Sequence, residues 1–337
     1  MSVPSSAPLP SFSPDPFQPD GGCSVGGLIL LGGSGVLSGL VLGALAGFVS
    51  QWFYLIILFP VGIGLGVGAV GAFAVKSGKV RMPLLCGAAG FLGGCVAVVA
   101  MHYYEYHTFE EELAEVSPDV RKFAANFDQL QAKRAELSEE DRALLDDLAK
   151  DPQIREALAV NGFISHLDLM AHRGVTISSK RGQNPINLGY TGSYIYWGVE
   201  AFIIAAIAFV FTNGAAAEPF CSQCESWKTG SVVGGFDASI TNVKEALGSG
   251  DLNFLAEYAT PNTETLPLTL FRCPTCQSES SIDARLESVT VNKKGEKSKS
   301  TLCTVTYPAE ASEAFELVFR PKSLPFETAS DAPSDPA

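Results

Sequence analysis

The residues of this chain best placed to do chemistry are cysteines. Cys221-Ser-Gln-Cys224 and Cys273-Pro-Thr-Cys276 are two CxxC turns. Two such knuckles supply four thiolates with the tetrahedral reach that zinc takes. Four thiolates leave a metal no open coordination position, so an ion held here is structural. Two other readings of the same residues stay open. If the segment faces an oxidising compartment, the pairs form two disulfides. The third is a thiol–disulfide exchange centre, disfavoured because neither CxxC opens a helix after a strand. Cys86 and Cys95 are nine apart in an apolar stretch and read as small packing residues.

The paired knuckles resemble a zinc ribbon, and the resemblance covers only this part of the chain. It implies a structural zinc on Cys221, Cys224, Cys273 and Cys276. The spacing departs from the usual gap of about 15–20 residues between knuckles. Here a helix near residues 243–247 and another after Asp251 are expected in the gap. Beyond the second knuckle, Ile282, Ala284 and Leu286 alternate as a strand. Leu302, Thr304 and Thr306 alternate with Cys303, Val305 and Tyr307 in a second strand, with a turn over 292–297.

Glu200 is the second candidate. It interrupts an otherwise uncharged stretch, and a charge at membrane depth costs about 3 kcal/mol or more. Such a residue is a candidate for handling ions or protons. The plainer reading places it near the headgroups or makes it a polar link between helices. The histidines are the third candidate. His102, His107, His166 and His172 flank one region, near Glu105, Glu110, Glu111 and Glu112. Two imidazoles and a carboxylate can bind a metal, but no HExxH spacing occurs here.

The elements that must carry these residues follow from charge. The chain has 337 residues, of which 47% are hydrophobic and 18% charged. Soluble domains carry roughly a quarter charged residues. This composition excludes a chain disordered throughout, a collagen and a disulfide-dense mini-protein. The deficit is local, because residues 21–75 hold no Asp, Glu, Lys or Arg. A span needs about 20 apolar residues, so two fit there, at 25–49 and 52–75. A third is expected at 83–103 and a fourth at 190–212. Trp52 and Tyr54, like Tyr190, Tyr194 and Trp197, suit an interfacial aromatic belt.

Lys76, Lys79 and Arg81 place the second turn in the cytoplasm. Both chain ends then lie in the cytoplasm and residues 105–189 outside. Arg173, Lys180 and Arg181 break the rule, although long loops escape it. No basic residue precedes Lys76, which argues against a cleavable leader. The net charge of −13 argues against a nucleic-acid partner.

Glycines recur at a spacing of four inside the spans: Gly35, Gly39, Gly43 and Gly47, then Gly64 and Gly68, then Gly90 and Gly94. Four apart is one helix face, and a face without side chains admits a neighbouring backbone. The pattern resembles the glycine zippers of several bacterial membrane proteins. It predicts tight packing within one protomer or between protomers, with a pore-lining ring as the sharper alternative. A GxGxxG at residues 66–71 lies inside an apolar span and is discarded as a nucleotide site.

Between the third and fourth spans, residues 105–189 read as short helices. Ser117-Pro118, Ser138 and Asp151-Pro152 start three of them, and Gly174 ends a fourth. The Pro-rich residues 1–24 and the stretch 323–337 read as disordered tails, and 213–322 as the ribbon-like domain.

The sequence therefore predicts an all-α membrane protein of four transmembrane helices with a small α+β, zinc-ribbon-like C-terminal domain. No hydrolase, kinase or P-loop motif occurs. The expected function is non-enzymatic: a membrane scaffold or interaction protein that docks a protein partner or a second copy. The alternatives are a small oligomeric transporter or channel using Glu200, and a thiol redox protein.

Overall fold

The computed structural model describes residues 9–52, 57–177, 186–261, 263–276 and 280–319. It divides into two compact units, Gly21–Ala217 and a second made of Glu218–Ala337 with Met1–Asp20. A short strand, β1 (Asp15–Pro16), precedes the first helix and belongs to the second unit.

Four helices of the first unit are long and apolar enough to cross a bilayer. They are α1 (Val25–Ser50), α2 (Leu58–Gly78), α3 (Pro83–Ala114) and, after the insertion, Gly189–Ala216. Ser24 caps α1 by accepting the Gly27 N–H. Lys79, in the left-handed region at φ 51°, closes α2. Pro83 starts α3, where its missing N–H costs nothing.

Two boundaries differ most from the sequence expectation. The second helix starts at Leu58 instead of residue 52, and Trp52 lies in the turn with its ring edge-on to Phe48. Tyr54 falls outside the described residues. The third helix runs past residue 103 to Ala114, because residues 103–112 contain no glycine or proline to stop it.

The glycine faces are filled within the chain. A Cβ on Gly39 would stand 2.5 Å from the Gly93 carbonyl oxygen of α3, and one on Gly47 2.8 Å from that of Met101. Gly43 lies closer still, against the Ala97 carbonyl. Gly35 is looser, at 3.6 Å from the Ala89 oxygen. Gly64, Gly68, Gly90 and Gly94 all face the last long helix, Gly64 at 3.0 Å from the Ile204 oxygen and Gly94 at 2.7 Å from the Ala205 Cα. Backbones at this separation gain dispersion that a Cβ would forbid. Val67, Ala97, Met101, Ile204 and Ala208 fill the centre of the bundle. Ile29, Phe73, Leu84 and Phe202 point outward and are exposed, as a lipid-facing surface requires.

A large residue at Gly43 therefore meets backbone that cannot swing aside. Gly43→Leu is expected to destabilise the bundle by about 3 kcal/mol or more. Gly33→Leu, with nothing within 4 Å of its Cβ position, should be neutral. Thermal unfolding of the two variants in one detergent checks the pair.

The insertion holds α4 (Pro118–Ala125), α5 (Phe127–Ala132), α6 (Glu139–Lys150), α7 (Pro152–Leu158) and α8 (Phe163–Arg173). Leu113, Phe127, Leu145, Leu148 and Leu158 form its core. Ser138 accepts the Asp141 N–H at 3.1 Å, as its N-cap position predicts. Ser117 makes no such bond, so Pro118 alone pre-sets the start of α4. Two short strands, β2 (Thr176–Ile177) and β3 (Ile186–Asn187), pair antiparallel before α9 (Gly189–Ala216). Helix α8 packs on both α3 and α9.

The second unit is a sheet with helices, larger than a ribbon. After β4 (Phe220–Cys221) and β5 (Ser226–Trp227) come β6 (Thr229–Phe236), α10 (Ile240–Ser249), α11 (Leu252–Tyr258) and β7 (Ala259–Thr260). Then follow β8 (Leu268–Arg272), β9 (Ile282–Val291), β10 (Lys297–Tyr307) and α12 (Ala311–Val318). The six-stranded sheet runs β1-β10-β9-β8-β6-β7, every pairing antiparallel. The expected strands at 282–286 and 302–307 are β9 and β10, joined by a turn in which Gly295 is left-handed at φ 81°. Phe236, Leu247, Leu255, Leu270, Ile282 and Phe315 are buried between sheet and helices. Tyr307 is buried with them and donates to the Leu247 carbonyl at 2.6 Å.

The N-terminal stretch departs from its expected disorder. Residues 9–20 lie on this unit, with Asp15 opposite Thr306 and Pro16 opposite Val305. The Leu9 N–H donates to Asn253 Oδ1 at 2.9 Å, and Leu9 and Phe12 pack on the sheet's core. Proline is tolerated on an edge strand, so a Pro-rich segment can end a sheet that it could not continue. The expected tails at 1–8 and 323–337 lie outside the described residues.

Candidate metal centre and a second polar cavity

The cysteines are far apart in sequence and meet through strand register. Strand β4 pairs with β5 across the first knuckle, Phe220 opposite Trp227, and the turn passes through Glu225 in the left-handed region at φ 48°. Strand β6 follows at once and pairs with β8, with Thr229 opposite Arg272. Cys273 comes next after Arg272, so the second knuckle leaves the sheet where the first one enters it.

The four sulfurs all lie within 4.8 Å of one another, and Cys221 Sγ is 3.7 Å from Cys276 Sγ. Tetrahedral coordination at a Zn–S distance of about 2.3 Å places sulfurs roughly 3.8 Å apart. A disulfide would bring them to about 2.0 Å, and all four cysteines are free. Cys221 and Cys273 are buried, Cys224 and Cys276 half-buried.

Burial opposes ionisation of Cys273. The N–H of Cys276, the Ser226 hydroxyl and the N–H of Thr275 favour its thiolate and hold its pKa down, at about 6. Cys224 goes the other way, pushed up to about 12 by its hydrogen bond to Cys276, by burial and by the remaining two thiols. One thiolate thus forms readily and suppresses the next. A divalent cation removes that conflict, because it stabilises all four thiolates together.

Lys228, directly after the first knuckle, is nearly buried. Its ammonium donates to Asp283 Oδ2 at 2.7 Å, to the Ser281 carbonyl at 2.7 Å and to the Ser281 hydroxyl at 3.2 Å. The other Asp283 oxygen accepts from Thr306 at 2.7 Å. Sequence reasoning missed this network, whose one local signal is a lone acid between the buried residues Ile282 and Ala284 of β9.

The other candidates separate into two groups. Glu200 is 3% exposed on α9 and lines a cavity of about 360 Å³ together with His102, Glu105, His166, Arg173 and Trp197. His102 Nδ1 is 3.0 Å from Glu105 Oε2, and the His102 ring meets Trp197 edge-on at 5.3 Å. His166 sits between Phe109 and Tyr106, and burial holds its imidazole below its usual pKa although Glu105 pulls it upward. His107 and His172 lie elsewhere and are exposed, 3.5 Å from Glu111 and Asp168. The four histidines therefore do not form one site. Among the described residues, the cysteine tetrad alone gathers three or more such ligand groups within metal-binding distance.

Comparison with protein-family models, with curated proteins and with solved structures finds no match.

Proposed function

We propose that this chain is a membrane-anchored, non-enzymatic interaction protein whose soluble domain is held by a structural zinc and docks a protein partner. The tetrad of Cys221, Cys224, Cys273 and Cys276 carries the reading. Its 3.7 Å sulfur separation suits a tetrahedral thiolate site, and four thiolates leave a bound ion no position for a substrate. The four apolar helices supply the anchor. Lys76, Lys79 and Arg81 favour a cytoplasmic face for both chain ends, where thiols stay reduced and bind metal. The net charge of −13 favours a protein partner over nucleic acid.

Photo-crosslinking residues placed on the exposed side chains of β9 and β10 test the reading in native membranes. A discrete heterologous adduct that disappears after chelation is the expected result. An adduct unaffected by metal removal, or none from any position, would rule out a metal-held docking domain.

A further inference from the structure

Residues 9–17 lie on the second unit in the way a bound peptide lies on a receptor. Asn253 of α11 holds the main chain of Leu9 from both sides. The Leu9 N–H donates to Asn253 Oδ1 at 2.9 Å, and Asn253 Nδ2 donates to the Leu9 carbonyl at 3.3 Å. One amide giving and accepting on one residue's main chain holds a segment whatever side chain that residue carries. Gly250, the left-handed cap of α10 at φ 74°, leaves room for the Phe12 carbonyl, which a Cβ there would strike. Leu9 and Phe12, three residues apart, pack on the core of the sheet and its helices. Asp15 and Pro16 then add to the edge of β10, and the Phe17 N–H donates to the Thr304 carbonyl at 3.3 Å. Main-chain pairing at a sheet edge with pockets for alternate side chains is a mode of peptide recognition.

The resident segment uses this surface incompletely. Leu9, Phe12, Pro14 and Phe17 are half-buried, and the rest of 9–20 is exposed. Its prolines, at 10, 14, 16 and 19, restrict the undocked chain and so lower the ordering cost of docking. The strand pairing covers only the last residues of the edge. Among the described residues, β10 from Lys297 to Cys303 pairs with β9 alone. The resident chain ends its pairing at Phe17, and Asp20 accepts from the Ser222 hydroxyl at 2.7 Å. A foreign segment that continued along β10 would gain main-chain hydrogen bonds that the resident one forgoes.

We propose that this groove takes an extended, proline-rich segment of a partner protein with two apolar anchors three residues apart, and that residues 9–17 are its built-in competitor. The proposal rests on the docking reading and names its surface and its partner. Tethering gives the resident segment an effective concentration on the order of millimolar. The groove therefore stays closed to weak ligands and opens to those that use the longer edge.

A fluorescein-labelled peptide of residues 9–18 is the probe, titrated by anisotropy into the full chain in detergent. Phe12→Ser in the chain weakens the resident segment and leaves the groove itself unaltered. That variant should bind the peptide saturably, about tenfold or more tightly than wild type, because a tethered competitor has been removed. Adding Asn253→Ala should weaken binding about tenfold, the loss of two hydrogen bonds. Phe12→Ser placed in the peptide should weaken it similarly. Leu9→Ser serves if the Phe12→Ser chain fails to fold. No saturable binding to a folded variant, or equal binding of the two peptides, would overturn the proposal. Unfolding of the sheet in both variants would make residues 9–17 an integral strand and overturn it as well. A wild-type dimer that Phe12→Ser dissociates would assign the groove to a second copy and overturn a separate partner. Failed peptide binding beside a chelation-sensitive crosslinked adduct would remove the groove and leave the docking reading standing.

Discussion

Cys221→Ser is expected to lower the metal content of the purified chain from about one equivalent to near zero. Three thiolates and a hydroxyl hold zinc poorly, because the hydroxyl does not ionise in this range. With free zinc a thousandfold above Kd, a bound ion adds about 4 kcal/mol to the folded state, and the variant forfeits that. The damage should stay local. In small zinc fingers the metal is the core, whereas here Phe236, Leu247, Leu255, Leu270, Ile282 and Phe315 form a hydrophobic core of their own. Strands β4 and β5 have two residues each and little else to hold them. Metal analysis with hydrogen exchange should show lost protection at 220–227 and retained protection in β9 and β10. Global unfolding of the variant would mean that the metal supports the whole sheet. Acidification should act in the same direction, since protons compete with the ion for every thiolate.

Asp283→Ala should destabilise the same unit by about 3–5 kcal/mol, the usual cost of leaving a buried charge without its partner. The Lys228 and Asp283 side chains are 4% and 3% exposed, and the ammonium spends its donors on Asp283 and Ser281. Removing the carboxylate leaves a buried cation and strands the Thr306 hydroxyl as well. A double replacement, Lys228→Met with Asp283→Leu, should cost much less, because it removes both desolvation penalties. Opening free energies of β6, β8 and β9 from hydrogen exchange separate the cases. A single variant that matches the double would show that the pair contributes no net coupling.

These two expectations differ in how visible they are in the sequence. The cysteines announce themselves, because CxxC is a local spacing with a direct coordination meaning. The long gap between the knuckles shows its two helices, α10 and α11, but hides the strands β6, β7 and β8. The ribbon resemblance could not show that the fold is a six-stranded sheet. Lys228 and Asp283 show little in the sequence beyond a lone acid in an apolar strand, since the pair is a fact about the residue ahead of β6 reaching Asp283 of β9. The docking of residues 9–20 is equally silent, because an edge strand of two residues with a proline looks like any polar tail.

The helical unit divides the same way. Four apolar stretches and the glycine spacing were legible because length and period are properties of a single segment. Which helix fills each glycine face was not: α1 meets α3, while α2 and α3 both meet α9. Glu200 and the histidines appeared in sequence as separate oddities. Packing α3, α8 and α9 together brought His102, His166 and Glu200 around one cavity and left His107 and His172 outside it.

What the amino-acid sequence determined by itself was where the chain avoids charge, which stretches form long apolar helices, and which sulfurs could share an ion. The tertiary structure alone decided which of those groups meet. Local periodicity encodes how a segment buries its own face, whereas partnership between distant segments depends on register and helix contact, which no short window of residues contains.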